Sequence, residues 1–177
     1  KGVKVGPTTE VIKKRLASLG QHSINNLVDG ANYLLWDIGQ PTHVFDADLV
    51  TGPLEVRWAL AGEKFITLDD QEVSLSSEMV VIADQLGVLA LAGIKGGKRA
   101  GINSQTRNLI LESANFDPIN IRRTSQQLGL RTDASKRFEN NLSPTLALEG
   151  MNRLTEIICQ SSETPCQLGE VVDYYPA

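Results

Sequence analysis

The sequence predicts a fold of the mixed class, in which α-helices accompany largely antiparallel β-strands. Helix capping signals lie near both ends of the chain, and short apolar runs bounded by turn residues fill its middle. Between Gly52 and Leu75, apolar and polar residues alternate, which is typical of antiparallel strands with one buried face. We therefore expect helices packed against an antiparallel sheet.

Each predicted helix opens with a residue suited to a cap, because a side-chain oxygen there accepts from the free N–H groups of the first turn. Gly20 and Gly129 are expected to end the first two helices. In the last helix, apolar residues recur every three or four positions and form one stripe toward the sheet. The predicted starts are Thr8 or Thr9, Asp117 with Pro118, Thr132 or Asp133, and Ser143 with Pro144.

Buried strands are predicted where short runs of branched apolar residues lie between turn residues. The segment from Tyr33 to Ile38 fits either a helix or a strand, because its periodicity does not decide. The residues from Gln167 to Pro176 predict a final edge strand. The buried strands are expected at Met79–Ala83, Val88–Ile94 and Leu109–Ala114, with a turn at Asp84–Gly87.

Composition excludes several classes of protein. The 177 residues are 41% hydrophobic and 21% charged, as in ordinary globular domains. A net charge of −4 argues against nucleic-acid binding driven by overall charge, although it allows a local basic face. No run approaches the roughly 18 apolar residues of a membrane span. Cys159 and Cys166 lack metal-ligand spacing, and we expect reduced thiols in the cytoplasm.

Motifs for common chemistries are missing as well. The sequence has no GxSxG, HExxH or CxxC, and its two histidines do not predict a zinc site. The GIKGG run at Gly93–Gly97 lacks the GK[ST] ending of a phosphate loop, so a tight turn between strands is the simpler interpretation. We expect no metal and no activated nucleophile.

Glu112 is the first candidate site residue, since it is a single acid inside an apolar strand. A buried, charged and unpaired carboxylate costs several kcal/mol, so it either pairs with an arginine or backbone N–H groups, or it faces a cavity. Gly93, Gly96 and Gly97 lie upstream, and residues without Cβ let another molecule approach the backbone. An acceptor beside open N–H donors suggests recognition of a small polar group.

His43 is the second candidate. The turn at Gly39–Pro41 delivers it into an apolar segment, where it is either a satisfied, partly buried side chain or a functional one. His22 lies among polar residues and is expected in solvent. A basic cluster is most simply a solvated helix face. It consists of Arg122, Arg123, Arg131, Lys136 and Arg137.

Three long segments together resemble one family, from about Pro7 to Tyr175. They are INNLVDGANYLLWDIGQPTHVFD, IADQLGVLALAGIKGG and LESANFDPINIRRTSQQLGLRTDASKRFE. In order and spacing they resemble the editing module of the bacterial phenylalanyl-tRNA synthetase β subunit. The resemblance implies an α+β fold with mixed or antiparallel sheets layered with helices. It also implies one compact editing-type domain over residues 1–177, as a fragment of a larger β subunit.

The resemblance implies hydrolysis of tyrosine wrongly attached to the phenylalanine tRNA. The expected partners are tRNA(Phe) carrying tyrosine, the remaining β modules and the α subunit in an (αβ)₂ assembly. No association with a membrane is expected. Editing should need no cofactor, since ATP and magnesium belong to the synthetic site elsewhere in the full enzyme. A rival hypothesis is a non-catalytic structural or tRNA-positioning module, and a weaker one is a sensor of aromatic amino acids.

The family's pocket maps onto this chain by motif. The GQPxHxFD motif falls on Pro41 and His43, VDxTNY on Asn32, AGxxGG on Ala92 and Gly93, and ESAxF on Glu112. The resemblance implies that Glu112 and the Gly93 N–H recognise the tyrosine hydroxyl, with Ala92 and Pro41 also binding substrate. His43 and Asn32 would orient water, the ester carbonyl or the adenosine.

Two residues depart from the family pattern. Ala31 replaces the threonine of VDxTNY, which removes a polar group near the scissile ester, and Lys95 replaces an apolar residue of the AGxxGG turn. These departures are expected to affect the efficiency of hydrolysis rather than the location of the site. The candidate tRNA contacts are Lys95, Lys98, Arg99, Arg122 and Arg123.

Overall fold

A computed structural model describes residues 1–162 and 164–174, and this part of the chain has the expected α+β fold. Its five α-helices are α1 (Glu10–Ser18), α2 (Asn26–Asp37), α3 (Pro118–Leu128), α4 (Asp133–Phe138) and α5 (Thr145–Ser161). Its eight strands are β1 (Thr42–Asp46), β2 (Glu55–Trp58), β3 (Lys64–Ile66), β4 (Glu72–Ser74), β5 (Val80–Asp84), β6 (Gly87–Leu91), β7 (Lys95–Gly96) and β8 (Leu109–Ser113).

Three predicted helix starts are confirmed by their caps. The side chain of Thr9 accepts from the Ile12 N–H in α1, and Asp117 accepts from the Asn120 N–H in α3. At α4, Thr132 and Ser135 form a reciprocal capping box. These caps satisfy N–H groups that the first helical turn leaves free, which is why the sequence signal was reliable.

The undecided segment from Tyr33 to Ile38 belongs to a helix. The side chain of Asn25 accepts from the Leu27 and Val28 N–H groups and starts α2, whose last residue is Asp37. Tertiary packing decides this case, since most helical stability in proteins comes from an apolar face against the core.

Two predictions at the C-terminal end are wrong. Ser143 does not cap α5: Pro144 stands at the N-cap position without a side-chain hydrogen bond, and the Ser143 hydroxyl lies 2.8 Å from that of Thr145. The predicted edge strand is missing from residues 167–174, which form no ladder with another strand. Its last predicted residues, Tyr175 and Pro176, lie outside the described residues.

The strands form three antiparallel sheets. One has the order β2-β5-β6-β7, and the two others are the pairs β1-β8 and β3-β4. The prediction of a strand from Val88 to Ile94 was too long, because β6 ends at Leu91 and a turn around Gly93 leads into β7. The predicted strand at Leu109–Ala114 is confirmed as β8.

The β1-β8 pair lies between two layers and contacts each with one face. Val44 and Leu111 point to α2 and α5 and join the core cluster of Leu34, Leu154 and Ile158. On the opposite face, Phe45 packs against residues of β5 and β6, among them Ile82 and Leu89. The other side of that sheet is covered by α3 and α4 through Ile121 and Phe138. Both faces of β5 and β6 are therefore buried, which explains their uninterrupted apolar sequences.

The expected burial of one face of β2 is wrong for the described chain. Val56, Trp58 and Leu60 are 63%, 58% and 66% exposed, although they alternate as predicted. Alternation places these side chains on one face, but it cannot show whether another element covers that face.

Candidate functional site

A cavity of about 70 Å³ lies where the β1-β8 pair, the turn between β6 and β7, and α4 meet. Its volume is well below the 300–1,000 Å³ of pockets for drug-sized ligands, so it suits a small chemical group. Five of the predicted site residues line it, namely Pro41, His43, Gly93, Lys95 and Glu112. Phe116 and Phe138 supply apolar walls.

His43 and Glu112 are directly opposite each other in the β1-β8 ladder. Opposed residues of an antiparallel pair point to the same face, with Cβ atoms about 5 Å apart. Neither side chain makes a hydrogen bond or ion pair with another described residue. Strand pairing between segments about 70 positions apart therefore brings two unpaired polar groups together, which no local pattern shows.

Burial shifts the pKa values of this pair in opposite directions. It raises the pKa of Glu112 from 4.5 to about 7 and lowers that of His43 from 6.5 to about 4. In both cases the low-dielectric surroundings disfavour the charged form. Near neutral pH, His43 is an uncharged imidazole, and Glu112 exchanges between the carboxylate and the carboxylic acid.

Gly93 presents a free backbone donor at the cavity. Its φ of 65° is in the left-handed region, and an added Cβ would come within 3.0 Å of Ile121, Phe116 and Phe138. Its N–H donates to no group among the described residues. The hydroxyl of Thr132 donates to the Ile94 carbonyl at 2.8 Å and ties α4 to this turn. Glycine is required here by both the backbone angle and the packed side chains.

Gly96 determines where the imidazole of His43 lies. An added Cβ at residue 96 would overlap Cε1 of His43 and come 3.0 Å from its Nε2. The ring also meets Phe45 edge-on, with centroids 4.5 Å apart. The ring is therefore held by contacts with a glycine backbone and an aromatic side chain, rather than by hydrogen bonds.

Gln40 is a positioning residue that the sequence reasoning missed. It is fully buried, and its Nε2 donates to the carbonyls of Pro41 at 3.0 Å and Ala114 at 2.8 Å. Gly150 of α5 lets that helix approach, since a Cβ there would be 2.7 Å from Cγ of Gln40. The amide thus joins the start of β1 to the end of β8. Its place in the GQP turn was the only sequence signal.

Two of the predicted catalytic and substrate-binding residues do not line this cavity. Ala92 is buried in the core, and its N–H donates to the Val80 carbonyl at 3.1 Å. Asn32 is half-buried on α2, one turn before Trp36. The guanidinium of Arg137 lies over the Trp36 ring, so Asn32 is on the side of α2 that turns toward α4.

The predicted tRNA contacts fall into two groups. In the first group, each cation has an aspartate partner: Lys95 pairs with Asp69, and Lys98 pairs with Asp70. Arg99 donates to both carboxylate oxygens of Asp84, at 2.9 and 2.5 Å. These hydrogen bonds from Arg99, together with two backbone N–H groups, hold the pKa of Asp84 far below its usual range.

Arg122 and Arg123 differ, because both are exposed and neither forms an ion pair with a described residue. Arg122 lines a cleft of about 360 Å³ between α3 and the end of α4. Arg131 also lines this cleft and pairs with Glu139 at 2.9 Å. The cleft therefore presents a cation without a protein partner.

Across residues 1–162 and 164–174, no three His, Cys, Asp or Glu side chains gather as metal ligands would. In the same residues, no helix combines the length and the hydropathy required to cross a bilayer. Cys159 and Cys166 are both free thiols.

Comparison with known proteins agrees with the resemblance. Residues 1–163 match the family described as B3/4 domain. The β subunit of phenylalanine–tRNA ligase from Protochlamydia amoebophila is 46% identical over 159 residues, which are 89% of this chain and 20% of that protein. The β subunit from Carboxydothermus hydrogenoformans is 43% identical over 177 residues, which are 99% of this chain and 22% of that protein.

This chain thus spans about a fifth of the length of the curated relatives it matches. An N-terminal fragment of the Pyrococcus horikoshii phenylalanyl-tRNA synthetase β subunit has a TM-score of 0.43 and 18% identity, over 62% of this chain and 36% of that chain. That likeness is too weak to support a conclusion. The sequence matches confirm the motif-based resemblance: the chain belongs to the B3/4 domain family and is similar to part of phenylalanine–tRNA ligase β subunits.

Proposed function

We propose that this domain hydrolyses the ester of tyrosine wrongly attached to tRNA(Phe). The observation that carries the proposal is one cavity lined by both Glu112 and Gly93, whose N–H has no acceptor among the described residues. Family membership and the relatives' names support it, because a phenylalanine–tRNA ligase must separate two amino acids that differ by one hydroxyl. An apolar pocket rejects an added hydroxyl only about 10²-fold, so a second site that requires the hydroxyl is needed.

Tyrosine selection follows from the polar groups of the cavity. The phenol donates to the Glu112 carboxylate and accepts from the Gly93 N–H, while Phe116 and Phe138 contact the ring. Phenylalanine leaves both polar groups without a partner. An unmade hydrogen bond to a charged group costs about 1.5–3 kcal/mol, which is roughly 10- to 150-fold in selectivity.

Hydrolysis proceeds by attack of a positioned water, without a covalent intermediate. No described side chain is activated as a nucleophile, and burial keeps His43 uncharged, so that its imidazole can accept a hydrogen bond from water or donate one to the ester. Gly96 and Phe45 fix the ring for this role. Asn32 orients the ester or the adenosine from the side of α2.

The rest of the assembly is proposed from the relatives. The domain acts within a β subunit about five times its length, beside an α subunit, and editing itself uses neither ATP nor magnesium. Arg122 and Arg123 are the preferred tRNA contacts, because they are free of carboxylates. Lys95, Lys98 and Arg99 would first have to leave their partners.

Deacylation of preformed Tyr-tRNA(Phe) and Phe-tRNA(Phe) tests the proposal. Glu112→Ala should lower the preference for Tyr-tRNA by roughly 10- to 150-fold, from the hydrogen-bond energy above. Glu10→Ala, at an exposed acid on α1, is the matched control and should change nothing. Parental rate and selectivity in the Glu112→Ala protein would refute the role of Glu112.

The rival is a module that positions tRNA without hydrolysis. Ala31 favours it, since this half-buried residue packs on the core of α2 and α5 and offers no hydroxyl to the ester. This module would bind tRNA(Phe) while Tyr-tRNA stays intact over the time course. Restoring the hydroxyl with Ala31→Thr would then be expected to restore hydrolysis.

A further inference from the structure

An aromatic–guanidinium stack lies beside the cavity. Trp36, near the end of α2, is 37% exposed, and Cζ of Arg137 lies 4.4 Å from the centroid of its ring. Nη1 of Arg137 donates to the Asp133 carbonyl at 3.1 Å, which restrains the side chain along α4. No described carboxylate pairs with this guanidinium. A half-buried arginine is thus held by a ring and a carbonyl, with its charge uncompensated.

The stack is close to the proposed reaction. Ala134 and Phe138, on either side of Arg137 in α4, both line the cavity. Asn32 lies one turn before Trp36 on α2. With the phenol in the cavity, the ester lies outside it, and a base joined to the ester through one ribose can reach Arg137, which is next to the lining residue Phe138 in α4.

We propose that the Trp36–Arg137 stack binds the terminal adenine of the tRNA. This inference rests on the proposed function, and it adds a base-binding subsite to it. The guanidinium plane lies between the indole on one side and the adenine on the other. Proteins commonly bind unpaired bases by stacking on aromatic rings or on arginine planes, and a positive charge favours the nearby phosphates.

The alternative is that the contact only holds α2 to α4. In that case, changing either residue lowers thermal stability and leaves recognition of the RNA end unchanged. Arg137→Lys separates the two interpretations, because lysine keeps the charge but loses the planar group that stacks. Trp36→Leu removes the indole ring on which the Arg137 guanidinium lies.

The first experiment measures kcat and KM for Tyr-tRNA(Phe). Arg137→Lys and Trp36→Leu should each raise KM about tenfold and change kcat less than twofold, within the range of base stacking on aromatic side chains. Trp58→Leu is the matched control, since Trp58 is 58% exposed on β2 and should leave KM unchanged. An unchanged KM in folded Arg137→Lys protein overturns the inference.

A second measurement does not depend on hydrolysis. The chain has two tryptophans, so Trp58→Leu leaves Trp36 as its only tryptophan fluorophore. Adding the trinucleotide CCA should quench Trp36 emission more than CCC does, whereas Trp58, read in the Trp36→Leu protein, should not respond. If CCA quenches Trp36 emission in a protein that fails to hydrolyse Tyr-tRNA, the result would support the adenine subsite and refute the editing activity. Equal responses to CCA and CCC would refute the subsite.

Discussion

The opposite pKa shifts of Glu112 and His43 predict two opposing contributions to the dependence of stability on pH. For Glu112, the folded pKa of about 7 exceeds the ordinary 4.5, so the native state binds more protons and stability falls as pH rises through this window. For His43, the folded pKa of about 4 is below 6.5, so stability is lost as pH falls from 6.5 to 4. Each contribution amounts to about 3 kcal/mol at 1.36 kcal/mol per pH unit.

In the parent protein the two slopes oppose each other between about pH 4.5 and 6.5 and largely cancel. Glu112→Gln leaves only the His43 contribution, and the variant should gain about 2–3 kcal/mol relative to the parent from pH 4.5 to 6.5. His43→Gln leaves only the Glu112 contribution, and the relative change should have the same size and the opposite sign.

Urea unfolding at a series of pH values measures both changes. The free energies of the variant and the parent are subtracted at each pH, so titrations elsewhere, including that of Asp84, cancel. An equal slope m confirms that each variant changes stability rather than the denatured state. Variant-minus-parent differences that do not change with pH would show that the two groups are not buried as the cavity requires.

Two glycine substitutions test the site further. Gly93→Ala should destabilise the fold by about 2–5 kcal/mol, since it adds left-handed strain to overpacking against three core side chains, and urea unfolding measures this loss. Gly96→Ala should instead displace the His43 ring, so its main effect should be a lower kcat for Tyr-tRNA rather than a lower free energy of unfolding. A variant that keeps full activity but loses stability would contradict the role given to this ring.

The sequence predicted features that depend on neighbouring residues. Asp117, Pro118 and Gly129 bounded α3 correctly, because capping and left-handed turns involve atoms only a few residues apart. Glu112 was identified because an acid in an apolar strand needs an explanation. The motif resemblance then associated it with His43, which strand pairing places opposite it.

Features that depend on distant packing were missed. The alternation at Val56 and Trp58 predicted strand geometry but not the exposure of the apolar face. The role of Gln40 depends on the carbonyl of Ala114, and that contact exists only after β1 pairs with β8. The uninterrupted strand predicted through Ile94 failed because Gly93 has a positive φ, which the apolar pattern does not encode.

The same burial that creates the pH dependence also explains how the cavity could select a neutral hydroxyl. A charged pair of His43 and Glu112 would attract ions and water, and a phenol would compete poorly for it. Because burial makes the imidazole neutral and brings the pKa of the carboxyl to about 7, the site offers unsatisfied hydrogen-bonding groups to a substrate.

A phenol that donates to Glu112 favours the carboxylate, so tyrosine binding should lower the pKa of Glu112 and release protons near neutral pH. Calorimetry of a tyrosine amide in buffers of different ionisation enthalpy measures that release, and Glu112→Gln should abolish it. Proton release that persists in the variant would assign the titration to another group.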